Sequence, residues 1–218
     1  MVLLTGFEGY GGRSVNPAEQ VAKRLSGTEI AGVRVSGHTL PVNYVELGPR
    51  ITALIEEVRP RAVICLGLWP GTPLLRIERV AVNIADFEIP DNVGHMTRGP
   101  VVEGGPEAYR STLPIHAIQD RLLEAGIPAR LSASAGTFLC NAVMYHALRA
   151  CAERTPGAPC GFIHLPYLPE QVATLLLDMR DWAKVELHQR ADLASMALDV
   201  QVEAVRLAIE TTLEATPG

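Results

Sequence analysis

The chain has 218 residues, 48% of them hydrophobic and 20% charged, which supplies the core of a single α/β domain over residues 1–218. Nineteen Lys and Arg against 24 Asp and Glu leave a net charge of −5 with no basic stripe, which argues against nucleic acid or an anionic membrane as a partner. No run approaches the ~18 apolar residues of a membrane span, and four cysteines without a CxxC pair point to reduced thiols in a cytoplasmic compartment.

The chain opens Met-Val-Leu-Leu-Thr-Gly with no basic region before it, so Val2–Thr5 is read as a buried first strand and not a leader. Gly6 to Gly12 holds four glycines in seven residues and is read as a loop, because glycine holds regular structure at an entropic cost. Asn16-Pro17 reads as an N-cap followed by proline at the first helical position, opening a helix to about Leu25. Val33, Val35 and Leu40 fall in a second strand. Leu47, Ile51, Leu54, Ile55 and Val58 share one helical face, and Pro60 ends that helix. Ala62–Leu66 is a third strand closed by Gly67. Residues 77–84 are extended, and residues 85–108, rich in Gly and Pro, form a long excursion of the kind that carries function. Ile115–Ala125 is a helix, Ala129–Ser132 a strand, Thr137–Ala152 a helix and Gly161–Leu165 a strand stopped by Pro166. An amphipathic helix runs from about Asp192 to Leu213. Strands alternating with helices predict a three-layer α/β/α sandwich around a largely parallel or mixed sheet. Chemistry in such sheets gathers beyond the strand carboxyl ends, where the loops at Gly6–Gly12, Gly67–Leu75 and His164–Pro169 lie.

Three residues carry candidate chemistry. Cys140 falls in the first turn of a helix, where the positive end of the helix dipole favours thiolate and free N–H groups can hold an oxyanion. Cysteine is also a common core residue, and Cys65, inside an apolar strand, is read as core. His164 lies at a strand end beside a proline, and a buried histidine needs a hydrogen-bond partner. Glu78 begins an extended run and is placed either to hold the His164 tautomer or to pair with Arg76 or Arg79. No HExxH or clustered ligand set predicts a metal, GFEGYGG lacks the Lys-Ser/Thr of a P-loop, and no dinucleotide fingerprint occurs.

Together with their neighbours these residues resemble the pyroglutamyl peptidase I family, from residue 4 to about residue 210. The stretch Thr5–Gly12 with Asn16-Pro17 resembles the family's opening TGFxPFGG and Asn-Pro. Glu78–Asn83 resembles ERVAIN, Ile89–Asn92 is IPDN, Ser132–Asn141 fits SxxAGxxxCN, and Phe162–Pro166 fits the histidine pattern. Five short motifs in order are far more specific than any one. The resemblance implies a phosphorylase/hydrolase-like α/β/α fold and a cysteine peptidase that removes an N-terminal pyroglutamyl residue. In it Cys140 is nucleophile, His164 general base and acid, and Glu78 the residue orienting His164. It implies a homotetramer without metal or cofactor. It also implies a substrate pocket of Phe7, Tyr10 and Phe138 with Ile89 and Leu139 nearby, Asn16 fixing loop or ligand, and a main-chain contact from Leu68.

Three positions depart from the family pattern. Leu68 stands where a Gln is usual, Glu88 where an Arg commonly precedes IPDN, and Tyr10 where Phe is usual, adding a hydroxyl that needs a partner. The same motifs are compatible with a thiol hydrolase of altered N-terminal acyl specificity, or with a catalytically silent binding protein on the same fold.

Overall fold

The computed structural model describes residues 1–180 and 193–216. Its sheet begins with β1 (Val2–Phe7), β2 (Glu29–Ile30), β3 (Val33–Leu40), β4 (Ala62–Leu68) and β5 (Leu75–Glu78). It is completed by β10 (Ala129–Ser132) and β11 (Cys160–Leu165). The strand order is β10-β5-β11-β4-β1-β3-β2. β3, β1, β4 and β11 are mutually parallel, whereas β5 runs antiparallel to β11 and β2 antiparallel to β3. The mixed, mostly parallel sheet agrees with the sequence reading.

Every side chain of β1 and β11 is buried. That is the signature of strands covered on both faces, and it explains why they read as apolar runs without alternation. One face packs on α1 (Pro17–Leu25), α3 (Ile115–Glu124) and α6 (Leu198–Glu214), with Val2, Leu4, Ile64 and Ile163 in the layer between. The other packs on α2 (Tyr44–Val58) and α4 (Leu139–Arg154), with Leu3, Phe7, Val63 and Phe162 inside. Asn16 and Asn43 cap α1 and α2 through their side-chain oxygens, which accept from Ala18 N and Val45 N at 3.0 and 3.1 Å.

Several boundaries differ from the sequence reading. Gly6 belongs to β1 and not to the loop, because a Cβ there would lie 2.1 Å from the carbonyl oxygen of Ala18. Its glycine lets α1 press against the strand, so here the residue serves close approach rather than a turn. The extended stretch 77–84 is broken at Arg79 into β5 and β6 (Val80–Val82), so Glu78 ends a strand instead of beginning one. The 85–108 excursion is ordered by β7 (Ala85–Asp86) pairing with β8 (Arg98–Gly99), and β6 pairs with β9 (Ala108–Arg110). A helix the sequence reading passed over, α5 (Pro169–Arg180), follows β11. The C-terminal helix starts at Leu198, and Asp192 lies outside the described residues.

Candidate active site

Strand register places the candidate residues on one face. Glu78 pairs with Phe162 and Arg76 with His164 across the antiparallel β5–β11 ladder, and Gly67 pairs with His164 across β4–β11. Paired residues share a face, as do residues two apart along a strand. Glu78, Arg76, Phe162, His164 and Gly67 therefore all face the layer that holds α4. A Cβ on Gly67 would lie 2.8 Å from Cys140 Sγ and 2.7 Å from Phe162 Cζ, so glycine there lets the thiol settle against the sheet beside His164.

His164 Nδ1 and Glu78 Oε1 are 2.8 Å apart, with 1% and 0% of the two side chains exposed. A carboxylate only accepts, so Nδ1 carries the proton and Nε2 is left with a lone pair. Arg76 Nε lies 3.4 Å from the same Glu78 oxygen. Trp69 stands edge-on to the imidazole, with ring centroids 4.9 Å apart. Burial pushes the His164 pKa below its ordinary value, and the Arg76 charge adds to this, against the opposing pull of Glu78.

Cys140 is the second residue of α4 and the one partly exposed cysteine of the four. The helix start was expected to favour thiolate. Burial instead pushes the thiol up to about 12, with the Glu78 carboxylate adding to the shift, and outweighs the opposing pull of Cys140's own N–H. Burial thus favours the neutral form of each group, and no hydrogen bond joins the two. Phe138 at the N-cap supplies no side-chain acceptor, so the first N–H groups of α4 stay free for an anion, unlike those of α1 and α2. Asn141, fully buried, fixes this helix start. It accepts from Val82 N and donates to Val82 O and Ile84 O, each at 2.9 Å.

Cys140 opens into a cavity of about 210 Å³. Phe7, Tyr10, Asn16, Leu68, Ile89, Phe138 and Leu139, the residues picked from the sequence, all line it. His164 and Glu78 do not; they lie behind the thiol. Asn16 uses both ends of its amide within the chain, donating to Glu8 O at 2.9 Å besides capping α1, so it fixes the loop. The Tyr10 hydroxyl donates to Pro90 O at 3.3 Å, which gives the extra oxygen its partner. Glu88 is exposed, and no hydrogen bond or ion pair involves it among the described residues.

Arg13, Val15, Val42, Pro70 and Gln171 line the cavity without having been foreseen. Gln171 had a readable signal. Pro169 opens α5, and Gln171 reaches back to accept from Leu168 N at 2.9 Å, half of a capping box, while donating to Val15 O at 3.0 Å. Phe87 also went unnoticed; it packs edge-on against Phe138 with centroids 4.4 Å apart and backs the cavity wall. Among the described residues no cluster of three His, Cys, Asp or Glu is placed to hold a metal ion.

The sequence profile of the pyroglutamyl peptidase family matches residues 1–215. The chain belongs to that family. It is 43% identical to the pyrrolidone-carboxylate peptidase of Pyrococcus furiosus over 214 residues, 98% of each chain. It is 48% identical to that of Klebsiella pneumoniae over 173 residues, 79% of this chain and 80% of the relative. Its fold superimposes on crystal structures of the Pyrococcus furiosus enzyme with a TM-score of 0.91, at 41% identity and 99% coverage of both chains. Motifs that are far apart in this sequence meet in its fold. Asn92 of the IPDN stretch donates to Gly9 O at 2.8 Å and to Glu8 Oε1 at 3.3 Å, which pins the opening loop.

The Asn141 bonds give a first test. Asn141→Ala removes three buried hydrogen bonds and leaves Val82 and Ile84 backbone groups unpaired, for an expected loss of about 2–4 kcal/mol. Urea unfolding with an unchanged slope and a lowered midpoint checks this.

Proposed function

We propose that this protein is a cysteine omega-peptidase that hydrolyses the bond after an N-terminal pyroglutamyl residue, with Cys140, His164 and Glu78 as its catalytic triad. The observation that carries the reading is the opening of the Cys140 thiol into an apolar, aromatic-walled cavity, with the His164–Glu78 pair directly behind. At about 210 Å³ the cavity is smaller than the roughly 300–1,000 Å³ pockets that enclose drug-sized ligands, and it suits a single small ring. Pyroglutamate is such a ring, flat and uncharged. An ordinary amino terminus brings a charge that this wall must desolvate, and is rejected on that ground.

The chemistry follows from the resting protonation. Substrate binding brings the thiol and Nε2 of His164 into hydrogen-bond reach, a contact that commonly tightens only in the complex. His164 takes the thiol proton as Cys140 Sγ attacks the pyroglutamyl carbonyl carbon. The free N–H groups at the start of α4 hold the oxyanion. His164 passes the proton to the leaving amine as the C–N bond breaks, which releases the shortened peptide and leaves a thioester. Water, deprotonated by His164, then attacks the thioester, and pyroglutamate departs as the thiol regains its proton. Glu78 holds the imidazole tautomer and stabilises the imidazolium that forms. Phe7, Tyr10, Ile89, Phe138 and Leu139 wall the ring, Leu68 offers its main chain, and Asn16 fixes the loop.

The reading extends to one peptidase domain over residues 1–218, acting as a homotetramer in the cytoplasm without metal or cofactor. The span of the family match supports the single domain, the four free thiols accord with a reducing compartment, and the tetramer follows from the family resemblance. Sedimentation equilibrium at micromolar concentration is expected to give four times the 23.5 kDa chain mass, and a monomer there removes the tetramer.

Release of a fluorophore from a pyroglutamyl-coumarin amide tests the reaction itself. The wild type is expected to cleave it and folded Cys140→Ala to leave it intact. Faster cleavage of a prolyl or acetyl analogue, or retained activity in Cys140→Ala, contradicts the reading.

The pH profile tests the base. Because His164 must be neutral to accept the thiol proton and burial lowers its pKa, the acidic limb of kcat/KM is expected below 6.5, the ordinary imidazole value. Glu78→Gln removes a group that raises the His164 pKa, so the limb moves lower still. It also costs kcat roughly 10²- to 10⁴-fold with little change in KM. A loss confined to KM counts against the orienting role.

A further inference from the structure

Arg76 lies behind the site, where its side chain touches Glu78, Ser132 and Trp69. Its Nε lies 3.4 Å from Glu78 Oε1. Its NH2 donates to Ser132 Oγ at 2.8 Å, and Ser132 Oγ donates in turn to Ser134 O at 3.3 Å in the loop that leads to Cys140. Its guanidinium lies over the Trp69 ring, with Cζ 3.7 Å from the centroid. Trp69 itself stands edge-on to His164 and touches the loop before Cys140, where a Cβ on Gly136 would lie 3.9 Å from its ring. The Arg76 side chain is only 14% exposed. Three contacts on a planar, forked cation fix it in a way that a flexible ammonium does not reproduce.

The Glu78 carboxylate has a need that Arg76 meets. It is fully buried, one oxygen serves His164 and Arg76, and the other, Oε2, has no hydrogen-bond partner. Among the described residues Arg76 is the one Lys or Arg in a salt bridge with it. A buried carboxylate facing only an imidazole gives that imidazole a strong reason to hold a proton, which disables it as a base.

We infer that Arg76 is a positioning residue of this active site, which balances the Glu78 charge and ties the Glu78–His164 pair, through Trp69 and Ser132, to the loop that presents Cys140. The inference rests on the proposed peptidase reading for its kinetic consequences but not for its electrostatic ones. The charged and titratable groups facing His164 are Glu78 and Arg76 from β5 and the Cys140 thiol from α4. Removing the Arg76 cation raises the His164 pKa, and removing Glu78 lowers it, so the two variants move the same group in opposite directions.

The test compares wild type, Arg76→Gln and Arg76→Lys, each checked for folding by thermal unfolding. Arg76→Gln is expected to lower kcat roughly ten- to a hundredfold, as misplacement of a reacting group does, with KM for the pyroglutamyl-coumarin amide nearly unchanged. It also shifts the acidic limb upward. Arg76→Lys keeps the charge, holds the limb near the wild-type position and recovers part of kcat. NMR titration of ring-labelled His164 follows the same shift without any turnover, so it decides the inference even if the wild type fails to cleave the substrate, a failure that falls on the peptidase reading alone. An Arg76→Gln protein whose His164 titrates as in wild type, or which loses stability with kcat and pH profile intact, overturns the inference.

Discussion

A buried carboxylate is the constraint around which this protein is arranged. Glu78 has no exposure and lies between two strands running in opposite directions. Leaving such a charge unpaired in a protein interior costs about 3–5 kcal/mol. The antiparallel turn of β5 against β11 brings that carboxylate beside His164, because Glu78 and Phe162 are register partners and His164 is two residues further on. The reversal of β5 against β11 is thus what sets the Glu78 carboxylate beside His164.

The surrounding loops are held by asparagines rather than by apolar packing alone. Asn141 ties the start of α4 to β6, Asn83 donates to Val102 O at 2.9 Å and accepts from Val102 N at 2.8 Å, and Asn92 clasps Gly9. Asp91 adds a fourth tie. Burial disfavours its charge, but backbone N–H groups of Tyr44, His95 and Val93 donate to it and hold its pKa below the ordinary value. These side chains satisfy backbone groups that the sheet does not reach, which is how a glycine- and proline-rich excursion keeps a defined shape. The aromatic row Tyr10, Phe138, Phe87 and Tyr44 then lies against ordered loops, each ring edge-on to the next. The polar ties thus hold the loops against which the cavity wall packs.

The sequence made the central strands, the Asn16 cap and the cavity wall legible because each depends on local signals: apolar runs, a capping residue beside proline, aromatics in a glycine-rich turn. What escaped depends on pairing at a distance. Gly6 looks like a turn residue until Ala18 is seen pressing on it. The direction of β5 is invisible in a four-residue apolar stretch. Arg76 is offered by the sequence as a salt-bridge partner of Glu78, and that pair forms, but nothing local announces that Trp69 and Ser132 converge on it as well. α5 carried its own signal in Pro169 and Gln171, obscured by the proline-rich approach from Pro166. The thiol was misjudged for a different reason. A helix start is a local and favourable feature, whereas the burial that opposes it comes from β4, β11 and the cavity wall together.

That burial links specificity to reactivity. On the proposed reading, the apolar surroundings that would admit an uncharged lactam and disfavour a charged amine are the same medium that pushes the Cys140 pKa up and the His164 pKa down. A preformed thiolate–imidazolium pair would place two charges at the edge of the site, and the selectivity of an apolar pocket against charge would be lost. A neutral pair preserves it, provided that proton transfer accompanies attack. The transition state alone then carries separated charge, and Glu78 beside the forming imidazolium and the uncapped start of α4 beside the oxyanion are placed to meet it. Stabilisation that appears only when charge develops is the kind that raises the rate rather than tightening the ground state. Leu68 and Glu88 lie outside this arrangement. Leu68 contributes one more apolar surface to the cavity, and Glu88 points to solvent, so neither adds a charge to a lining whose one charged side chain is Arg13.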